Sequence, residues 1–326
     1  MIAESVAGLA AGVAVGVVLQ RGQLCFHSAI AGTYHSHFLL ARGWALGVAL
    51  GSVGLAVLFV LPGTDGLNRG LAFTPVANVV GGLTIGVGMA VALSCTSGLF
   101  YKLGEGMLGA VVGLAGWATG ELVARQLPDL PGPTLLPSGD GGTLPGVLGL
   151  PRLVVAAAVL AAVALWLWQR PGDDRPQHRW QWGWRTLGVG LGAALTAGWV
   201  LAAVGGVSFG PSSVGAVSSI ASGSPKYWLI AFLVGITAGG LLAARTAGGW
   251  WVRGEQPVRY LQLAIGGALL GAGGWIAGGC NLGHGLSGVA QLNISSAVVV
   301  ASMVAGVGAT RAAQRTMSAQ RATQPS

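Results

Sequence analysis

The dominant pattern along this chain is a series of apolar segments of about 20 residues, separated by short stretches rich in glycine, serine and basic residues. A helix of that length is long enough to cross a hydrocarbon core of roughly 30 Å. We therefore predict an all-α fold, a polytopic membrane helix bundle. Its nine predicted spans are residues 2–20, 43–62, 76–94, 107–127, 152–169, 184–204, 227–246, 259–279 and 294–310.

Three stretches outside these spans differ in composition. Residues 128–151 are rich in proline and glycine and predict an exposed loop. Residues 170–185 combine arginines with tryptophans, a composition typical of the place where a helix meets lipid headgroups. The tail from Arg311 is polar and basic, and we expect it to be disordered.

An internal repeat relates the two halves of the chain. A shift of 185 residues places Cys95 on Cys280. The same shift superimposes Gly81, Gly82, Gly86, Gly88 and Gly98 on Gly266, Gly267, Gly271, Gly273 and Gly283. Because five crossings separate the third span from the eighth, the matched spans run in opposite directions. Two inverted four-span repeats are predicted, with a site near the membrane midplane.

This repeat divides the chain into four parts. The first inverted repeat covers residues 1–127, and the second covers 184–310. Residues 128–183 hold the loop and a connecting transmembrane helix with the interfacial tryptophan and arginine segment. Residues 311–326 form a cytoplasmic basic tail.

Composition and charge restrict the function. With 53% hydrophobic and 8% charged residues, no soluble class fits, and the net charge of +8 indicates orientation, not nucleic-acid binding. If loops alternate sides, 13 of the 17 lysines and arginines lie on the side of the carboxyl terminus. That terminus is then cytoplasmic and the amino terminus outside. The first span lacks a basic start, so we expect it to be retained.

Each of the three cysteines ends a span and opens a polar, glycine-rich stretch too short for another crossing. We predict that these stretches, 21–37, 94–106 and 278–288, are re-entrant broken helices, with 208–226 as a fourth. Broken helices leave backbone N–H groups without partners, which is tolerated at membrane depth beside a cavity and suits an anion. Free thiols are expected, since three cysteines cannot all pair within one chain.

The candidate substrate-binding residues surround this predicted path. Thiols are weak donors that match a polarisable sulfur anion, and weak sites in series permit passage. The neighbouring hydroxyl, amide and imidazole groups either donate to substrate or only cap broken helices and interfaces. Ser208 is included because a weaker echo aligns it with Cys25. The full set is Cys25, Cys95, Cys280, Thr96, Ser97, Asn281, His284, Ser208 and His27.

Other polar residues support no further site. The histidine spacing matches no zinc motif, so we predict neither metal nor cofactor. Lys102 and Glu105 either pair at the cytoplasmic mouth or are solvated. Glu121, inside the fourth span, is costly enough to suggest function, although the nearby span end could let it reach water.

The segments RGQLCF, SCTSG and GGCNLGHGLSG resemble the YeeE/YedE membrane proteins of bacterial sulfur uptake, and the similarity covers most of the chain. The resemblance implies import of thiosulfate across the bacterial inner membrane. It also implies that Cys25, Cys95 and Cys280 pass the ion along by S–H···S contacts.

The predicted function is therefore transport of a small sulfur anion, most simply thiosulfate, and not enzyme catalysis. The alternative is a membrane thiol or sulfur-transfer protein that relays a sulfur species or disulfide to a partner, although the chain has no C-x-x-C pair. Expected partners are the anion, membrane lipid and a soluble sulfur-carrier protein at the cytoplasmic face. No nucleotide-binding P-loop occurs.

Overall fold

The computed structural model describes residues 1–169 and 175–323, and over these ranges the chain is helical without β-strands. In chain order the helices are α1 (Ile2–Gly22), α2 (Phe26–Thr33), α3 (Leu39–Leu58), α4 (Pro75–Ala92), α5 (Thr96–Gly104), α6 (Gly109–Ala124), a 3-10 turn (Asp140–Gly142), α7 (Leu144–Leu148), α8 (Arg152–Gln169), α9 (Trp184–Val204), α10 (Ala216–Ala221), α11 (Tyr227–Thr246), α12 (Pro257–Ala277), a π-helix (Gly283–Gly288) and α13 (Ile294–Thr323). A helix therefore lies at each predicted span.

Within the described ranges, eight helical segments are long and apolar enough to cross a membrane, and two of them join a long helix to a short one, α1 to α2 and α4 to α5. The predicted fourth span is α6, an apolar helix of 16 residues. At 1.5 Å per residue it is roughly 24 Å long. The predicted all-α, polytopic membrane bundle is thus confirmed, with its fourth helix shorter than expected.

The order of helices repeats along the chain. Helices α1 to α6 follow the length order long, short, long, long, short, long. The elements from α9 to α13 follow the same order when the π-helix is counted as the second short element. Packing follows the same order, since α1 packs on α11 and α3 on α9, while α6 packs on α12 and α13 on α4. The inverted repeats at 1–127 and 184–310 stay a prediction with which this pairing is compatible.

Two glycines matched by the repeat lie where α4 crosses α12. A Cβ atom added to Gly81 would lie 2.5 Å from the backbone nitrogen of Ala277, and one added to Gly266 would lie 2.5 Å from that of Ala92. Neither position has room for a side chain, so the two backbones touch, as small residues permit in membranes. These helices end just before Cys95 and Cys280, and their contact holds the two cysteine segments together.

The connecting helix α8 lies at the edge of the bundle. It packs on α3, and its buried residues are Val155 and Ala156. At its start, the Arg152 guanidinium lies 2.6 Å from the Asp140 carboxylate in the preceding loop. That loop, residues 128–151, is mostly exposed, as predicted.

The tail differs from the prediction. Helix α13 continues to Thr323, so residues from Arg311 onward are helical as far as they are described, and the expected disorder is wrong there. A polar helix can continue beyond an apolar span because each added residue gains a backbone hydrogen bond once the helix is nucleated. Residues 170–174 of the interfacial segment and 324–326 of the tail lie outside the described ranges.

Candidate functional site

Cys25 and Cys95 stand at the breaks between a long helix and a short one. Residues Gln23 and Leu93 have left-handed φ angles of 51° and 45°, which end α1 and α4. Each cysteine follows two residues later in extended backbone, as the cap of α2 or α5. The broken helices predicted for these two segments are confirmed.

The sulfur of Cys95 lies at two helix N-termini at once. It accepts the backbone N–H of Phe26, the first residue of α2, at 3.1 Å, and that of Gly98, in the first turn of α5, at 3.3 Å. Unpaired N–H groups give a helix N-terminus partial positive charge. Two such ends meet at one buried thiol, and its sulfur accepts a hydrogen bond from each.

Cys25 and Cys95 form a close pair of thiols. Their Sγ atoms are 3.4 Å apart, and the backbone N–H of Cys95 donates to Cys25 Sγ at 3.3 Å. Both side chains are buried, and all three cysteines are free, as predicted. Serine joins this pair, because Ser97 Oγ lies 3.3 Å from Cys95 Sγ and Ser94 Oγ lies 3.9 Å from Cys25 Sγ.

Cys280 lies in the second half of the chain, between α12 and the π-helix. Its Sγ accepts the Ser213 hydroxyl at 2.8 Å and the Leu282 backbone N–H at 3.3 Å. The next residue, Asn281, donates its amide to Ser97 Oγ at 2.7 Å. A continuous line of polar groups therefore joins the Cys280 segment to the Cys25–Cys95 pair.

The remaining predicted site residues divide into two groups. Thr96 is fully buried beside Cys95, its hydroxyl without a hydrogen-bond partner among the described residues, and His27 is buried on α2. His284 is also buried, but its ring nitrogens bond Ser296 Oγ and the Ala277 carbonyl, each at 2.9 Å. Its imidazole therefore fastens the π-helix to α12 and α13.

Ser208 does not reach the thiols. Its side chain is exposed, and its carbonyl accepts the Asn68 N–H at 2.6 Å. The hydroxyl that contacts Cys280 comes from Ser213, five residues later in the same predicted segment. The short sequence match that aligned Ser208 with Cys25 did not align the two segments correctly. The short helix after Cys25 begins at the next residue, whereas α10 begins only at Ala216, eight residues after Ser208.

An acidic side chain of the protein caps the fourth broken segment. Glu121 on α6 is fully buried, and its Oε1 accepts the backbone N–H groups of Gly215 and Ser218 at 3.0 and 3.1 Å. It thereby satisfies free donors at the start of α10. Its full burial rules out the alternative that the span end lets it reach water, and its contacts give it a capping role.

A cavity of about 170 Å³ lies beside the Cys280 segment, between residues 208–226 and the π-helix. Its lining includes Ser212, Lys226, Gly283 and Ser287. Across the described ranges, no group of three His, Cys, Asp or Glu side chains is placed to hold a metal ion. The polar centre of the molecule is therefore a set of thiols, hydroxyls, amides and backbone N–H groups.

Comparison with known proteins places this centre in a family. The chain is 32% identical over 312 residues to the thiosulfate transporter TsuA of Spirochaeta thermophila, covering 89% of this chain and 92% of that protein. It is 25% identical over 335 residues to the TsuA of Escherichia coli, covering 94% of each. A family model described as sulphur transport matches residues 21–309. The chain belongs to this sulphur transport family, the YeeE/YedE membrane proteins that its cysteine segments resemble.

Proposed function

We propose that this chain imports thiosulfate across the bacterial inner membrane through a path lined by its three cysteines. Membership of the sulphur transport family and the names of its relatives support transport of a sulfur anion over catalysis. The observation that carries the proposal is the convergence of the α2 and α5 N-termini on Cys95 Sγ. Anions bind at such ends, because N–H groups and partial positive charge face them together.

The thiols act in series on the sulfur end of the ion. The cavity is lined by Gly278 and Gly283, which flank Cys280 in sequence. From Cys280 the path continues past Asn281 and Ser97 to Cys95 and Cys25. Each thiol offers a non-covalent S–H···S contact, so no bond forms or breaks and the ion leaves unchanged. A thiol holds the ion less firmly than a cation does, and weak sites in sequence favour passage. The unpartnered Thr96 hydroxyl is a further donor on this path.

We take the orientation of the chain in the membrane from its basic residues, and we propose import as the direction of transport. With the amino terminus outside and the carboxyl terminus cytoplasmic, Cys280 lies toward the outer side and Cys25 toward the inner side. Lys226, at the cavity, then attracts anions from outside. Of the two inverted halves, 1–127 would supply two thiols, Cys25 and Cys95, and 184–310 would supply one, Cys280. A soluble sulfur-carrier protein at the cytoplasmic face would receive the imported ion.

One observation favours the rival function, thiol or sulfur transfer. Cys25 and Cys95 are 3.4 Å apart, near enough for a disulfide after a small movement, although the sequence has no C-x-x-C motif. Both thiols are buried, however, so a partner's cysteine has no direct access. If the rival holds, single-cysteine variants will form mixed disulfides with a soluble protein. Under the import proposal they will not.

The experiment is thiosulfate-dependent growth of a sulfur-starved bacterial strain that lacks its own thiosulfate uptake. The strain expresses the wild type or a serine variant of Cys25, Cys95 or Cys280, at equal membrane abundance. We expect rescue by the wild type, loss of growth for the variants at 95 and 280, and a milder defect at 25. No rescue by the wild type would refute thiosulfate import, and normal growth of all three variants would refute the relay.

A further inference from the structure

Groups other than Lys102 contact Glu105, the acidic residue near the thiol pair. Glu105, at the end of α5, is buried and accepts the side-chain amides of Gln20 and Gln23 at 3.2 and 2.6 Å. Its other oxygen lies 3.2 Å from the Arg253 guanidinium. The pairing of Lys102 with Glu105 considered from the sequence is therefore not formed.

Lys102 is left with a different neighbour. It is half-buried on α5, and its ammonium donates to Ser94 Oγ at 3.4 Å. In the described part of the chain, no carboxylate lies within ion-pair distance of this ammonium. A cation withdrawn from water gains most from an anion at close range. The described residues supply none to Lys102.

Ser94 connects this ammonium to the thiols. A Cβ atom added to Gly98 would lie 2.7 Å from Ser94 Oγ, 3.0 Å from Cys25 Sγ and 3.3 Å from Cys95 Sγ. One hydroxyl and two thiols thus face the same point, where glycine alone leaves room. The ammonium of Lys102 lies 3.4 Å from the same hydroxyl.

We propose that Ser94 and Lys102 bind the oxygen end of the transported sulfur oxyanion while its sulfur end contacts Cys25 and Cys95. This assignment rests on the proposed transport of thiosulfate. The two ends of such an ion differ, since oxygens accept strong hydrogen bonds from ammonium and hydroxyl groups, whereas sulfur is polarisable and matches thiols. Lys102 would therefore favour sulfur anions that carry oxygens.

The test compares thiosulfate binding and uptake by purified protein, free in detergent and reconstituted in vesicles. Lys102→Gln removes the charge, Lys102→Arg retains it, and Ser94→Ala removes the hydroxyl. Arg245→Gln is the matched control, because it removes a cation that lies over Trp250 at 4.7 Å and contacts none of these groups.

We expect Lys102→Gln to weaken binding and raise the KM about tenfold or more, the effect of a charged hydrogen bond. Lys102→Arg should recover most of this loss, Ser94→Ala should lose less than Lys102→Gln, and Arg245→Gln should match the wild type. Wild-type affinity in Lys102→Gln would overturn the assignment while leaving thiosulfate transport intact. An equal loss in Lys102→Arg, with unchanged melting temperature, would also overturn it. Failure of the wild type to bind or take up thiosulfate would overturn both proposals.

Discussion

Cys95 has a structural role and a proposed transport role that two substitutions can separate. Its sulfur accepts the backbone N–H groups of Phe26 and Gly98. Cys95→Ser keeps an acceptor at this position, and serine is a favoured N-cap residue. Cys95→Ala leaves both buried donors unpaired. Both substitutions remove the thiol that would contact substrate.

The two variants should differ in stability and agree in function. Losing an N-cap acceptor costs about 0.5–2 kcal/mol, and leaving a second buried donor unpaired costs about 1–3 kcal/mol. Because sulfur is a weak acceptor, we expect Cys95→Ala to destabilise the fold by about 1–3 kcal/mol in total. Cys95→Ser should stay within about 1 kcal/mol of the wild type. Thermal unfolding in detergent measures the first difference, and thiosulfate uptake by the same preparations measures the second.

Two results would contradict this reasoning. An alanine variant as stable as the wild type would mean that the N–H bonds to sulfur contribute nothing to the fold. A serine variant that takes up thiosulfate at the wild-type rate would mean that a hydroxyl suffices and the thiol has no special role.

Two further predictions concern the framework around the site. Gly81→Ala should lower the melting temperature, because overpacking against α12 costs about 1–3 kcal/mol. Gly66→Ala is the control and should leave the melting temperature unchanged, because a Cβ atom there meets nothing within 4 Å. Equal effects of the two substitutions would contradict the tight crossing of α4 and α12. Glu121→Ala should destabilise the protein more than Glu121→Gln, which keeps an acceptor for the two N–H groups at the start of α10. Limited proteolysis and melting curves measure this difference, and equal stability of the two variants would refute the capping role.

The fold was largely predictable from the sequence, because hydropathy reports a helix through its length and composition. Nine apolar segments marked the long helices, and the cysteines marked breaks. The end of α13 was not predictable in this way, since a polar helix carries no hydropathy signal. The predicted fourth span, 107–127, extended past both ends of α6 (Gly109–Ala124), because hydropathy averaged over a segment does not fix where a helix begins and ends.

The side-chain contacts within the candidate site were harder to predict from the sequence. Ser97 and Asn281 were named as candidates because they adjoin a cysteine in sequence, and the structure joins them by a hydrogen bond. Thr96 was named for the same reason and stays a prediction. The contact of Ser213 with Cys280 joins residues 67 positions apart. Likewise, the ion pair between Glu105 and Arg253 joins residues 148 positions apart. Such contacts depend on how the helices pack, and no local sequence pattern predicts them.

The backbone contact between α4 and α12 limits how the molecule can work. Helices that touch at Gly81 and Gly266 have no side-chain layer over which to slide, so the two helices leading to Cys95 and Cys280 behave as one rigid strut. If the chain transports an anion as proposed, opening and closing would come from the short helices and from side-chain rotation, movements that are small and fast. Such a membrane protein would resemble a narrow pore with local gates more than a carrier whose halves rock around the bound ion.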